Sequence, residues 1–291
     1  MSFRQALESG KFLVTAEVGP GKGTDVEHLL KDAQIIKDRV DAINVTDLQS
    51  SVMRLGSMAV CHMLTDMGID PVFQVTCRDR NRLALQSDLL SGWALGIRNV
   101  LALTGDHPSL GDHPNAKPVF DLDSVTLLEM IGTLNSGKDM SGNELNGTPD
   151  FLPGAVVNPG ADNEAALDLQ IMKMEKKIEA GAKFFQTQGV YDLDAFEKFM
   201  KRVEGLDTKV LVGIILLKSV GMARYMNKNV AGVFVPEPLI QELKKAEDKA
   251  QASMNMAIRL IKGAKDLCDG VHIMALGWES KIPPIMDEIG L

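Results

Sequence analysis

Two carboxylates and an amide, Glu17, Asp106 and Gln188, each close a short apolar run: VTAE, ALTGD and QTQ. Three further runs end in the same way, NVTD at Asp47, QVTC at Cys77 and VVNP at Pro159. A carboxyl group donates or accepts a proton, and a carboxamide offers both a donor and an acceptor. Gathered round one opening, such groups would grip a polar heterocycle and bring a general acid to it.

Gathering them requires an architecture that brings strand ends together. After each run comes a loop and then an amphipathic helix. Alternating βα units predict a parallel sheet with helices outside it, and eight such units close into a (β/α)8 TIM barrel whose chemistry collects at the strand C-termini. Strands are expected at 12–17, 42–47, 71–77, 99–106, 154–159, 184–188, 209–217 and 270–275. Thr24 and Glu27 make a capping-box start for the first helix, whose buried face is Val26, Leu29, Leu30, Ala33, Ile36 and Val40. Further helices are expected over 52–67, 80–95, 123–134, 162–180, 192–203 and 246–265, with two more near 219–227 and from Pro236 and a last one closing the chain. The polar, glycine-rich stretch 135–149 reads as a hairpin or surface loop. No linker divides the chain, so residues 1–291 are expected to form one domain.

Side chains alternate faces along a strand, and one face of these strands is polar. Glu17 shares parity with Thr15, Asn44 with Thr46, Gln74 with Thr76, and Gln186 with Gln188; in strand four, Asp106 is grouped with Thr104 and Ala102, leaving Leu101 and Leu103 toward the helices. Barrel interiors are normally filled by branched aliphatics. Buried polar groups without partners cost about 1–3 kcal/mol each, so this interior holds either a polar ligand or a self-satisfied hydrogen-bond network.

The rest of the composition narrows the class. A net charge of −8 argues against nucleic acid or an anionic membrane as the main partner. Cys61, Cys77 and Cys268 show no metal-ligand spacing and suit a reducing cytoplasm. The N-terminal MSFRQALESGKF lacks the apolar run of a signal peptide, and no apolar stretch is long enough for a transmembrane helix. The sixteen methionines read as core filler. GPGKG (19–23) lacks phosphate-loop spacing, and the duplicated DHP segments with His107 and His113 read as a pair of turns, so no metal site is expected. His272, inside the last strand, reads as a core histidine.

With these residues in view, the chain resembles the methylenetetrahydrofolate reductase family. The likeness runs from TAEVGP (15–20) to GVHIM (270–274), and its most specific pieces are Glu17, LTGD (103–106), KxxxGA (177–182) and FFQTQGVYD (184–192). The short N-terminus and RDRN (78–81) look closest to enzymes of acetogenic bacteria. The resemblance implies a flavin-dependent barrel that reduces 5,10-methylenetetrahydrofolate to 5-methyltetrahydrofolate by hydride transfer. It assigns the proton donor to Glu17, the aspartate near flavin and pterin to Asp106, the folate-binding glutamine to Gln188, the flavin-contacting threonine to Thr46 and the phosphate-contacting lysine to Lys177. Desolvation favours the neutral carboxyl, the form that can donate a proton to N10. Gln170 lies two turns from Lys177 on the same helix side.

The chain also departs from the better-known bacterial pattern. Asn158 and Asp162 replace an aromatic and a histidine after strand five, Gln74 replaces a histidine, Gln170 replaces an aspartate, and Trp278 stands near a missing arginine. Gln74, Asn158, Asp162 and Gln170 therefore fall at cofactor-binding positions, and FMN becomes an alternative to the FAD that the resemblance implies. The expected electron donor is NADH or a partner subunit carrying metal centres, in an oligomer or hetero-complex. Two other functions fit the pattern less fully: a flavin-carrying electron-transfer subunit that needs a partner, and a flavin-free barrel lyase or aldolase.

Overall fold

The protein is described from a computed structural model that places residues 1–161 and 163–291. Eight parallel strands close into a barrel in simple sequence order. They are β1 (Leu13–Val18), β2 (Ala42–Val45), β3 (Pro71–Thr76), β4 (Asn99–Leu103), β5 (Leu152–Val157), β6 (Phe184–Gly189), β7 (Lys209–Ile215) and β8 (Gly270–Met274). Pairing of β1 with both β2 and β8 closes the ring, setting Glu17 beside Asn44 and Thr15 beside His272. Aliphatics of the outward faces, such as Ala16, Ile43, Val75 and Ile273, pack under the surrounding helices.

The bottom of the barrel is apolar. Leu13, Ala42, Val72, Leu101, Leu152, Phe184 and Leu211 point inward there. They are covered by a helix that the sequence pattern did not indicate, α1 (Phe3–Glu8), whose Ser2 and Gln5 form a capping box. Phe3 is fully buried and meets Phe184 edge-on, with ring centroids 5.1 Å apart. Its backbone N–H donates to Asp70 at 2.6 Å. Six residues are too few for helical periodicity to register, although the cap was legible.

Two local expectations need correction. The helix after β1, α2 (Glu27–Ile36), starts two residues later than a Thr24 cap would place it, on Val26 with no side-chain cap bond; Asp25 Oδ1 instead accepts from the Glu27 N–H at 3.0 Å. In β4, Leu101 and Leu103 face the barrel interior while Val100 and Ala102 face the helices, the reverse of the expected parity. Counting back from Asp106 failed because the strand ends at Leu103 and Gly105, at φ +90°, interrupts the two-residue period. The 135–149 excursion is a hairpin closed by an antiparallel bridge between Lys138 and Glu144.

Candidate active site

Above the apolar floor, the inward side chains form two polar levels. In the middle, the amides of Asn44 and Gln186 bond each other reciprocally, at 2.7 and 3.0 Å. Gln186 Nε2 also donates to Thr15 Oγ1 at 3.2 Å, and Thr15 Oγ1 lies 3.0 Å from His272 Nδ1. All four residues are buried and bond one another, and His272 Nε2 alone faces up toward Glu17.

The upper level is different. Glu17, 6% exposed, ends the inward row of β1, and its Oε2 lies 3.7 Å from His272 Nε2. Thr46, just past β2, is 2% exposed, and its hydroxyl has no hydrogen-bond partner among the described residues. Gln74, Asp106 and Gln188 engage through their backbone carbonyls, which accept from Ser57 Oγ, Arg78 Nη1 and Thr187 Oγ1. Among the described residues their side chains are left free. Gln188 is half-buried at the rim and Asp106 is exposed. Cys77 and Asp47, by contrast, do not join the mouth. Cys77 packs in the outer core, where burial pushes its thiol up to about 12.

Two cavities flank this level. One, of about 430 Å³, runs from Glu17 past Gly19 and Arg54 to Leu276, Gly277 and Glu279. The other, of about 550 Å³, lies beyond β4 between Thr104, Gly105, His107, Phe120 and Asp123. Asp123 caps α5 (Ser124–Asn135). Lys177, on α6 (Glu164–Glu179), is half-buried, donates from Nζ to the Val156 carbonyl at 2.8 Å and feels the Asp123 charge. Burial, with the like charge of Lys173, lowers its pKa to about 8. It is therefore no solvated surface lysine but a cation held short of a counter-ion. Gln170 lies half-buried on the same helix. Asn158 is held in its loop, Oδ1 accepting from the Gly160 N–H at 3.1 Å and Nδ2 donating to the Ala231 carbonyl at 3.4 Å. The expectation for Asp162 lies outside the described residues.

Sequence reasoning missed the scaffold that holds these loops. Asp47 is buried and accepts from the Thr76 N–H and hydroxyl, both at 2.9 Å, and from Arg80, which also pairs with Asp88 at 3.1 Å. Arg78, 1% exposed, donates to the carbonyls of Leu48 and Asp106, each at 3.3 Å, and pairs with Asp79. It thereby ties the loops after β2 and β4 to the end of β3. Leu48, Ser50 and Ser51 all take left-handed backbone conformations there, a strain these ties must hold. The RDRN segment was visible in sequence; that its two arginines face Asp47 and Asp106 was not. Where the arginine after β8 is missing, Lys218 arrives from the end of β7, bonded to the Leu276 carbonyl with its Nζ 5.5 Å from the Trp278 ring centroid.

A closed parallel barrel with an unsatisfied polar level at its strand C-termini defines a (β/α)8 protein with a ligand site at its mouth. The chain belongs to the methylenetetrahydrofolate reductase family, whose profile matches residues 2–290. It is 24% identical over 281 residues to a probable methylenetetrahydrofolate reductase (NADPH) of Caenorhabditis elegans, covering 91% of this chain and 39% of that one. It is 22% identical over 272 residues to the 5,10-methylenetetrahydrofolate reductase of Escherichia coli, covering 91% of this chain and 83% of that one. The chain thus spans well under half the length of the nematode relative and most of the bacterial one. Among solved structures, an uncharacterized Clostridium thermocellum protein described as binding two copies of 5-methyl-5,6,7,8-tetrahydrofolic acid shares the fold with a TM-score of 0.62 at 15% identity, covering 99% of this chain and 100% of that one. A 2,3-dimethylmalate lyase shares it with a TM-score of 0.54 at 10% identity, covering 98% and 83%, so the barrel by itself does not choose the chemistry.

Proposed function

We propose that this protein is a flavin-dependent methylenetetrahydrofolate reductase, converting 5,10-methylenetetrahydrofolate to 5-methyltetrahydrofolate. The observation that carries this reading is Glu17, an inward-facing and nearly buried carboxyl on the wall of a cavity at the mouth of a barrel of this family. The folate binding described for the Clostridium thermocellum protein supports the substrate class.

Glu17 acts as general acid. It gives its proton to folate N10; the bond between N10 and the bridging methylene breaks with its electron pair going to N10, and an iminium remains at N5. A reduced flavin held at the mouth by Thr46, Gln74 and Lys177 would supply the hydride needed to complete the methyl group. Gln188 offers a donor and an acceptor to the pterin edge, and a carboxylate at Asp106 accepts from the pterin N3–H and amino group.

The flavin fits the residues present. The unpartnered Thr46 hydroxyl and the free carboxamide of Gln74 face the mouth, and the half-desolvated Lys177 gains a counter-ion from a phosphate. Asp106, Asn158, Asp162 and Gln170 complete the proposed cofactor set. FAD is the flavin the resemblance implies, with FMN the alternative. Electrons come from NADH or from a reduced partner subunit, in the cytoplasm, and the chain acts as one flavin- and folate-binding unit.

The test is a visible spectrum of the flavin-loaded protein before and after anaerobic addition of methyltetrahydrofolate. Bleaching of the flavin is expected. A yellow protein that does not respond would favour an electron-transfer subunit, and one that takes up no flavin would favour a lyase. Mass spectrometry of the released cofactor separates FAD from FMN.

A further inference from the structure

His272 is buried, ionisable and so far without a part in the chemistry. Closure of the barrel sets it opposite Thr15, one inward step below Glu17 on the neighbouring strand. Its Nδ1 lies 3.0 Å from Thr15 Oγ1 and its Nε2 lies 3.7 Å from Glu17 Oε2.

The middle network selects which nitrogen carries the proton. Gln186 Nε2 donates to Thr15 Oγ1 at 3.2 Å, so the hydroxyl is already an acceptor there. Its own proton has two acceptors in reach, His272 Nδ1 at 3.0 Å and the Val271 carbonyl at 3.5 Å. The shorter contact wins, which makes Nδ1 an acceptor and leaves the proton of the neutral ring on Nε2, facing Glu17. Turning the Asn44 and Gln186 amides over together would preserve their mutual bonds but reverse each later step. That arrangement would set an imidazole lone pair against the carboxylate left once Glu17 has given up its proton, in a buried site, which the desolvation of both groups disfavours.

We propose that His272 is a positioning residue for Glu17. Its Nε2–H, 3.7 Å from the carboxyl, closes to a hydrogen bond on the carboxylate that remains once the proton has passed to the substrate nitrogen, and so orients and stabilises it. The inference rests on Glu17 as general acid. His272 itself ends the step unchanged, and Glu17 recovers its proton from water. The arrangement extends the logic by which a base is oriented by a third group. Titratable groups sharing the cavity with Glu17 are Asp25, His28, Asp32, Arg54 and Glu279, while the neutral Thr15 lies against the other ring nitrogen of His272.

Two measurements test this. Nitrogen-15 NMR of histidine-labelled protein, with His272 assigned by loss of its signals in His272→Gln, is expected to show a neutral ring protonated on Nε2 whose shifts move in Glu17→Gln. When 5,10-methylenetetrahydrofolate re-oxidises the chemically reduced flavin, His272→Phe should slow that oxidation about 10-fold or more, with flavin content and the KM for folate near wild type and a displaced pH profile. His272→Gln, which keeps an N–H donor, should recover much of the rate. Thr15→Val removes only a hydroxyl and covers the case in which His272→Phe does not fold; it should shift the ring toward the Nδ1–H form and slow the reaction with His272 still present. A wild-type ring protonated on Nδ1, or a His272→Phe protein with wild-type rate and pH profile, would overturn the proposal. If the wild-type protein is inert toward methyltetrahydrofolate, the proposed function falls, and the NMR result alone decides the pairing.

Discussion

The middle and upper levels of this barrel are built from the same kinds of residue and do opposite things. Asn44, Gln186, Thr15 and His272 bond one another in a chain whose one outward group, His272 Nε2, faces Glu17. One step higher, among the described residues, Thr46, Gln74, Asp106 and Gln188 keep their side chains free, and Glu17 lies 3.7 Å from the imidazole below it. Polar residues inside a barrel are thus no sign of a binding site in themselves. The sign is polar residues whose partners are missing. The closed level acts as a rigid base that fixes where the open level stands.

Substitutions at the two levels should separate function from stability. The largest effect is expected from Glu17→Gln at the upper level. Loss of a general acid should slow re-oxidation of the reduced flavin by 5,10-methylenetetrahydrofolate by about 10²–10⁴-fold, with flavin content and Tm near wild type; stopped-flow absorbance checks this. Gln186→Leu strikes the middle level and should show the reverse emphasis. It leaves both ends of the Asn44 amide unmatched, at about 1–3 kcal/mol for each group, measurable as a lower midpoint in urea. Thr46→Val removes a hydroxyl that bonds nothing, so stability should stay within about 0.5 kcal/mol while flavin affinity falls in a fluorescence titration. A marked loss of stability in Thr46→Val would erase the contrast between the levels.

Lys177 gives a pH-dependent version of the same contrast. Its folded pKa of about 8 lies below its ordinary 10.5, so between those values the unfolded chain binds more protons than the folded one. This group therefore raises stability as pH climbs from about 8 toward 10.5, and it costs the folded state at neutral pH. Lys177→Met should stabilise the flavin-free protein at pH 7, remove that rise and weaken flavin binding. The smallest effect is expected from Asp106→Asn, which should leave Tm unchanged while weakening folate binding and shifting the flavin potential.

Much of this was legible in sequence because strands alternate with a period of two. Glu17, Asn44, Thr46, Gln74, Gln186 and Gln188 announce themselves as one polar face in four strands. In β4 the left-handed Gly105 broke the period and inverted the assignment of Leu101 and Leu103. α1 escaped because six residues carry no periodic signal, yet it seals the barrel floor. The division into a closed and an open level was not legible at all. It depends on which amide reaches which across 142 residues of chain, from Asn44 to Gln186. The same holds for the ties from Arg78 and Arg80 to neighbouring loops, and for His272 beside Glu17, which exists only because β8 closes onto β1. Sequence supplied the residue types, and barrel closure decided which of them had partners.

The central claim is that the upper level is the folate site and the middle level its fixed support. A crystal structure of the flavin-loaded protein with bound methyltetrahydrofolate tests it most directly. The account predicts N10 within reach of the Glu17 carboxyl, the pterin edge bonded to Gln188 and Asp106, and the chain from Asn44 through Gln186 and Thr15 to His272 unmoved. A folate seated away from Glu17, or amides of the middle level turned to meet it, would contradict it.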